Sequence, residues 1–147
     1  MKILVDADAC PVKDIIVSEA KKYGVPVYMF VDTSHNLKSG YACVITVDKA
    51  SDSVDIALAN KTDRGDIVVT QDYGVAAMSL GKGAYALNQN GLVYTDKNID
   101  MLLFDRHIGK KKRRAGEKCS GVKKRTAADD ENFCKEFQKL LQIALKQ

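Results

Sequence analysis

Short aliphatic runs along the chain alternate with longer stretches in which apolar residues recur at helical spacing. The first run, Lys2–Asp6, is aliphatic and closed by an acid, as in a buried strand of a parallel sheet. Pro11 then precedes a helical pattern over Val12–Tyr23, which Gly24 ends. Strands that alternate with helices in this way predict an α/β domain of three layers with a mainly parallel sheet.

The same reasoning predicts the remaining elements. Further strands are expected at Val25–Val31, Tyr41–Val47, Asp66–Thr70, Ala84–Leu87 and Leu92–Thr95. Helices are expected at Asp52–Thr62 with Ser51 as N-cap, at Tyr73–Leu80, at Asp100–Arg106 and, as an amphipathic closing helix, at 127–146. No internal repeat is visible, so residues 1–147 are expected to form one domain.

Composition removes several classes of protein. A chain of 147 residues, 46% hydrophobic, has enough apolar surface for one core and is not a disordered tail. Its longest apolar run is five residues, far short of the roughly 20 that cross a bilayer. The first residues lack the apolar stretch of a secretion signal, which predicts a cytoplasmic location with reduced cysteines.

The charge is unevenly distributed. Residues 106–125, the basic segment, hold ten Lys and Arg and one Glu, a net +9; the whole chain carries +4, so the other 127 residues carry −5. Such a segment is expected to be mobile on its own and to bind a polyanion, or else to act as a solvated surface loop. It holds no aromatic residue, so nucleic acid is expected to be bound through phosphates, with strong salt dependence. The predicted nucleic-acid-binding residues are Lys110, Lys111, Lys112, Arg113, Arg114, Lys123, Lys124 and Arg125.

Carboxylates follow two of the predicted strands. Asp6 and Asp8 follow the first strand, and Asp72 follows the strand that ends at Thr70. Residues past the carboxyl ends of neighbouring parallel strands converge on one crevice, so these three acids are expected to meet if the strands are neighbours. Clustered carboxylates repel unless a cation neutralises them, which predicts a site for Mg²⁺ or Mn²⁺. Such an ion can polarise a phosphodiester and activate water.

Further candidates lie away from the ends of these two strands or have an alternative interpretation. Asp55 lies at the edge of the helical stripe that faces the sheet and could reach the crevice, whereas Asp52 points outward. Each acid also has a structural interpretation: Asp72 as an N-cap, or Asp6 and Asp8 as turn residues. Cys10 could be a nucleophile, but a small buried residue is the favoured interpretation.

The residues resemble a known family. The chain is similar to the YaiI/YqxD family, also called UPF0178 or DUF188. The resemblance is carried by Val5-Asp6-Ala7-Asp8-Ala9-Cys10-Pro11, Asp52-Ser53-Val54-Asp55, Gly65-Asp66-Ile67-Val68-Val69-Thr70-Gln71-Asp72, and Ala86-Leu87-Asn88 with Gly91 and Tyr94. It implies a PIN-like, Rossmann-like fold. In PIN-type ribonucleases four acidic or polar positions form the site, and Asp6, Asp8, Asp55 and Asp72 match them one for one.

The sequence departs from the family pattern at two places. Gly74-Val75 stands where the family usually has proline-leucine, and Gly121-Val122 stands where it has glycine-proline. Neither change removes a carboxylate. Both are expected to alter the rim of the cleft and so the substrate preference.

Three functions are compatible with these residues. The leading hypothesis is a Mg²⁺- or Mn²⁺-dependent nuclease, acting on RNA, in which Asp6, Asp8 and Asp72 hold the metal and Asp55 completes the site or orients the water. The first alternative is a nucleic-acid-binding or adaptor domain without catalysis. The second is a haloacid-dehalogenase-type phosphatase, disfavoured because no acid lies within four residues after Asp72.

Overall fold

A computed structural model describes residues 1–32, 40–48, 53–116 and 124–147 of the chain, with backbone alone at residues 53 and 112–114. The strands are β1 (Ile3–Asp6), β2 (Val27–Asp32), β3 (Cys43–Val47), β4 (Ile67–Val69), β5 (Tyr85–Leu87) and β6 (Val93–Tyr94). The helices are α1 (Lys13–Tyr23), α2 (Ser53–Lys61), α3 (Tyr73–Gly81), α4 (Asp96–Arg114) and α5 (Ala127–Leu145). Within these ranges none of the helices has the length and apolar character needed to cross a membrane.

The six strands form one sheet in the order β3-β2-β1-β4-β5-β6. All neighbouring pairs are parallel except β5 with β6, which form an antiparallel hairpin. The chain builds the sheet outward from β1 to β3 and then returns to add β4 on the other side of β1. The direction of winding therefore reverses between β1 and β4, and open α/β sheets bind ligands at this kind of switch point.

Alternate residues of each strand pack into two cores, one on each face of the sheet. Ile3 and Val5 of β1 face the core closed by α1 and α5, while Leu4 between them faces the core closed by α2, α3 and α4. The predicted three-layer α/β fold with a mainly parallel sheet is therefore confirmed. The helical layers explain why β1 and β4 are apolar on both faces.

Helix α4 differs most from the sequence-based prediction. It runs over Asp96–Arg114, whereas the pattern predicted Asp100–Arg106. Ile99, Leu102 and Leu103 pack against the core under α3, and the helix then continues into the basic segment. Lys and Arg have high intrinsic helix propensity, so a run of them can extend a helix that packing has already nucleated. Residues 117–123 lie outside the described residues, and the mobility of the basic segment stays a prediction.

Helix α5 occupies the range predicted for the closing helix and ends at Leu145. Thr126 and Asp129 form a capping box at its start. Phe133, Phe137 and Leu141 are fully buried against the sheet. The predicted N-cap Ser51 and the neighbouring Asp52 lie outside the described residues.

Candidate active site

Two acids meet at the switch point through a shared threonine. Val5 pairs with Val69, so Asp6 at the end of β1 lies level with Thr70 just past β4. The Thr70 hydroxyl donates to Asp6 Oδ2 at 3.1 Å, and the Thr70 hydroxyl oxygen accepts from the backbone N–H of Asp72 at 3.0 Å. Thr70 is itself buried, and its carbonyl accepts from the Tyr94 hydroxyl at 3.1 Å. Thr70 therefore fixes the position of Asp6 relative to the chain segment that carries Asp72.

The ends of these two strands open into a pocket of about 400 Å³, which we call the acid pocket. It is lined by Asp6, Asp8, Ala9, Gln71, Asp72, Tyr73 and Arg106. The structure thus brings together the three carboxylates that the sequence placed after β1 and β4. Ala9, with φ of +58°, adopts the left-handed conformation, which costs an alanine about 1 kcal/mol and turns the chain sharply after Asp8.

Asp6 has the most perturbed carboxylate of the pocket. Burial raises its pKa to about 6, against the opposing effect of the hydrogen bond from Thr70. The negative charges of Asp55, Asp8 and Asp72 contribute to the same upward shift. At neutral pH the folded protein therefore holds a partly buried carboxylate, with three like charges near it, in its ionised form. A cation in the pocket would relieve this repulsion.

Asp8 and Asp72 also hold backbone in place. Asp72 is the N-cap of α3, and its Oδ1 accepts from the N–H groups of Gly74 at 2.8 Å and Val75 at 3.2 Å. Asp8 Oδ2 accepts from the N–H of Asp32 at 3.2 Å, which ties the turn after β1 to the end of β2. The interpretation of Asp72 as an N-cap is thus correct. It leaves open a second role, because the same carboxylate borders the pocket.

Asp55 lies in the first turn of α2 and is not among the residues that line the acid pocket. Its charge nevertheless raises the pKa of Asp6 more than the charge of Asp8 or Asp72 does. The structure therefore brings Asp55 within electrostatic reach of Asp6. The helical stripe predicted that Asp55 could reach the crevice, and its place in the site stays a prediction.

The donor groups of the acid pocket are not arranged as a ready metal site. Among the described residues, no group of three or more His, Cys, Asp or Glu side chains is placed so that it could hold a metal ion. Asp8 and Asp72 direct oxygens to backbone N–H groups, as described above. The carboxylates would therefore have to reorient to share an ion, and metal binding stays a prediction.

The basic residues are divided between exposed and internal positions. Lys110, Lys111 and Lys124 are exposed. Arg125 instead donates from Nε to Asp130 at 2.8 Å, and from its two terminal nitrogens to Asn90 Oδ1 at 2.6 Å and the Gln89 carbonyl at 2.7 Å. These bonds join the start of α5 to the turn between β5 and β6. Lys123 and the side chains of residues 112–114 lie outside the described part.

Four residues that line the pocket were not predicted as site residues: Ala9, Gln71, Tyr73 and Arg106. Arg106 was counted only as part of the basic segment, yet it borders the acids, with a terminal nitrogen 3.8 Å from Asp72 Oδ1. Tyr73 was taken only as the first residue of a helix. The spacing of Arg106 from Leu102 and Leu103 places it on the packed face of α4 and would have indicated that it turns toward the sheet. Nothing in the sequence alone marks Tyr73.

Cys10 is buried, and burial raises the pKa of its thiol. A raised thiol pKa disfavours the thiolate that a nucleophile requires. The structure thus agrees with the interpretation of Cys10 as a small core residue. The carboxylates remain the candidate reactive groups at this edge of the sheet.

The fold and the pocket define a three-layer α/β protein with an acidic site at the switch point of its sheet. The family profile described as "Uncharacterized BCR, YaiI/YqxD family", DUF188, matches residues 4–143, and the chain belongs to this family.

Curated relatives agree with this assignment. The chain is 68% identical over 133 residues to a UPF0178 protein of Ruminiclostridium cellulolyticum, covering 90% of this chain and 87% of the relative. It is 55% identical over 144 residues to one of Lachnoclostridium phytofermentans and 52% identical over 143 residues to one of Clostridium acetobutylicum, each covering 96% of this chain and 97% of the relative. No solved structure shows a significant match.

Proposed function

We propose that this protein is a divalent-metal-dependent nuclease with a PIN-like site, and that RNA is its substrate. One observation carries the proposal: carboxylates from two adjacent parallel strands share a pocket at the switch point, where burial, with the neighbouring negative charges, raises the pKa of Asp6 to about 6. Mg²⁺ or Mn²⁺ is the cation class that fits an all-oxygen site, and it would supply polarisation of the phosphodiester and an activated water.

The residues of the chain have separate roles in this proposal. Asp6, Asp8 and Asp72 are the metal ligands, and Asp55 adds negative charge beside Asp6 or orients the attacking water. Thr70 holds Asp6 in position. The exposed Lys110, Lys111 and Lys124 contact phosphates, and the side chains at 112–114 and 123 belong to the same proposed surface.

Cleavage of labelled RNA and DNA oligonucleotides, with Mg²⁺, Mn²⁺ or EDTA, tests the proposal directly. Wild type is expected to cut RNA only with metal, and Asp6→Asn and Asp72→Asn are expected to lower the rate at least about 100-fold, because each removes a charge that the metal needs. Asparagine at position 72 can still accept the N-cap hydrogen bonds, so Asp72→Asn should stay folded. The exposed Asp14→Asn serves as the control.

Wild type that cuts neither RNA nor DNA with either metal would contradict the proposal. Equal residual cleavage by wild type and Asp6→Asn would indicate a contaminating nuclease and would also count against it. Calorimetric titration with Mn²⁺ adds an independent measurement, with binding expected in wild type and lost in Asp6→Asn.

A nucleic-acid-binding domain without catalysis is the second candidate. It is favoured by the hydrogen bonds that commit Asp8 and Asp72 to backbone N–H groups, and by the lack of a ready metal-binding group in the described ranges. Under this alternative the protein binds RNA equally in EDTA and in Mn²⁺, and calorimetry detects no Mn²⁺ site.

A further inference from the structure

Tyr73 stands between the acid pocket and a second pocket. It is the first residue of α3 and directly follows Asp72. It lines the acid pocket and also a neighbouring pocket of about 310 Å³ that includes Leu102, Asp105 and Gly109 of α4, which we call the α4 pocket. Tyr73 is partly exposed. An aromatic ring therefore forms part of the wall that the two pockets share.

The ring of Tyr73 is supported by a fixed neighbour. Its centroid lies 6.0 Å from that of Tyr94, with the two planes at 70°, which is an edge-to-face contact. Tyr94 is buried and is anchored through its hydroxyl to the carbonyl of Thr70. Thr70, which donates a hydrogen bond to Asp6, thus also holds Tyr94 in place against the ring of Tyr73. The distance from the acids to the ring is set by rigid elements and needs no mobile loop.

Arg106 is the second residue that both pockets share. Its side chain is 42% exposed, and its contact with Asp72 is long, at 3.8 Å, so the guanidinium can turn to another anion at little cost. Leu102 gives the α4 pocket an apolar surface beside the ring. The pocket thus combines a tyrosine ring, an apolar wall and a half-exposed arginine beside the proposed cleavage site. This combination suits a planar base that carries a phosphate.

We propose that Tyr73 stacks on a nucleobase in the α4 pocket and that Arg106 contacts the phosphate joining this nucleotide to the one in the acid pocket. This inference rests on the proposed function and adds a base-binding subsite to it. The predicted basic segment has no aromatic residue, so its lysines contribute charge, whereas Tyr73 contributes contact with the base. The contribution of base contact can be separated from the contribution of charge by removing either the ring of Tyr73 or the bases of the RNA.

The experiment compares two oligonucleotides in EDTA, which prevents cleavage. One is a labelled ten-nucleotide RNA, and the other has the same sugar-phosphate chain without bases; binding is followed by fluorescence anisotropy. Tyr73→Leu is expected to weaken binding of the RNA about tenfold, the lower range for loss of one stacked base, and to leave binding of the abasic chain within twofold of wild type. Tyr73→Phe should bind both as wild type does.

Two variants serve as controls. Arg106→Ala is expected to weaken both oligonucleotides by the same factor, because both carry phosphates. Tyr23→Leu changes an exposed tyrosine on α1 and should affect neither. Thermal unfolding of each variant shows whether it is folded, and Tyr73→Leu retains an apolar side chain against Tyr94.

The outcomes separate this inference from the proposed function. Equal weakening of both oligonucleotides by Tyr73→Leu, or no weakening of either, would overturn the stacking role while leaving a nuclease possible. Failure of wild type to bind RNA at all would overturn both. Loss of affinity for the RNA alone supports the inference, and cleavage assays then decide the catalytic proposal separately.

Discussion

Asp6 is ionised at a place where the fold opposes ionisation. Its pKa is about 6 in the folded protein, against an ordinary value of 3.8. Between these values the folded state binds more protons than the unfolded state, so this group makes stability fall as pH rises from about 4 to about 6. Residues that carry out chemistry are commonly held in such unfavourable environments.

Replacing Asp6 should therefore stabilise the protein when no metal is present. Asp6→Asn keeps an acceptor for Thr70 and removes the buried charge, and we expect the free energy of unfolding at pH 7 to rise by up to about 3 kcal/mol. This increase in the free energy of unfolding should fall toward zero near pH 4. Urea unfolding in EDTA across this range measures it, with the exposed Asp100→Asn as reference. A gain that does not change with pH would show that the carboxylate is not strained.

The pKa of Glu19 is shifted in the opposite direction, downward from its ordinary value. This buried side chain on α1 accepts hydrogen bonds from Lys22 at 2.9 Å, from Gln138 of α5 at 3.2 Å and from the Cys134 thiol. Burial alone would raise the pKa of Glu19, but the hydrogen bonds and the charge of Lys22 outweigh it, and the pKa is lowered. Glu19 therefore contributes stability above its ordinary pKa of 4.5, and this contribution is lost as pH falls through the folded value.

We expect Glu19→Gln to destabilise the protein at pH 7 by about 1–2 kcal/mol, because hydrogen bonds to a charged acceptor become neutral ones. Glu136→Gln, which affects an exposed pair with Lys139, should cost less than about 0.5 kcal/mol. Denaturant curves at pH 7 and pH 4 give both values. The difference between the two variants should be smaller at pH 4, and a difference independent of pH would contradict the role of the charge.

At the scale of elements, the junction between α5 and the β5–β6 turn depends on a glycine. Gly91 has φ of +87°, and a Cβ added there would lie 2.8 Å from the backbone oxygen of Asn132 in α5. Gly91→Ala is therefore expected to cost about 1–3 kcal/mol of stability through strain and overlap. Gly81→Ala meets nothing within 4 Å and should be nearly neutral. Thermal unfolding distinguishes the two, and equal melting temperatures would refute the close approach.

Arg125 belongs to the same junction, and its neighbour Lys124 provides a comparison. Arg125→Ala should lower the melting temperature, because it removes two hydrogen bonds to the β5–β6 turn and one to Asp130 of α5. Lys124→Ala should leave the melting temperature unchanged and weaken polyanion binding. The melting temperature and the affinity for a polyanion are measured for each variant. Normal stability of Arg125→Ala together with weakened binding would restore the nucleic-acid role that the sequence assigned to it.

Most elements could be predicted from sequence because periodicity reports which faces are buried. Residues 3–5 and 67–69 are apolar throughout, which indicates a strand covered on both faces. The end of α4 could not be predicted in this way, because an exposed Lys- and Arg-rich run has no apolar period. The spacing of Arg106 from Leu102 and Leu103 indicates which side of α4 it lies on, but its approach to Asp72 depends on the packing of α4 against α3, which a local pattern does not contain.

On the scale of the whole molecule, charge is arranged so that basic residues follow the acid pocket along one helix. Arg106 borders the pocket, and Lys110 lies one turn further along α4 on the same side. The acidic centre would suit a cation, and its basic flank would suit a polyanion. The net charge of +4 describes neither region.

The position of the lysines, and not their number, should therefore set the salt dependence of RNA binding. Replacing Lys110 and Lys111 by Ala should lower the slope of log affinity against log salt by up to about 1.4, or about 0.7 for each lost phosphate contact. Replacing the exposed Lys21 and Lys146 makes the same change in net charge away from the pocket. If both double variants lower the slope equally, the binding surface is diffuse.

The burial of α5 has a consequence for synthesis of the protein. The sheet face that receives Phe133, Phe137 and Leu141 is formed by strands made much earlier, such as β1 and β4. During translation, at about 5–20 residues per second, this apolar face stays uncovered until α5 leaves the ribosome. The nascent chain is therefore expected to complete this core only after α5 has emerged, and to be a client for chaperones until then.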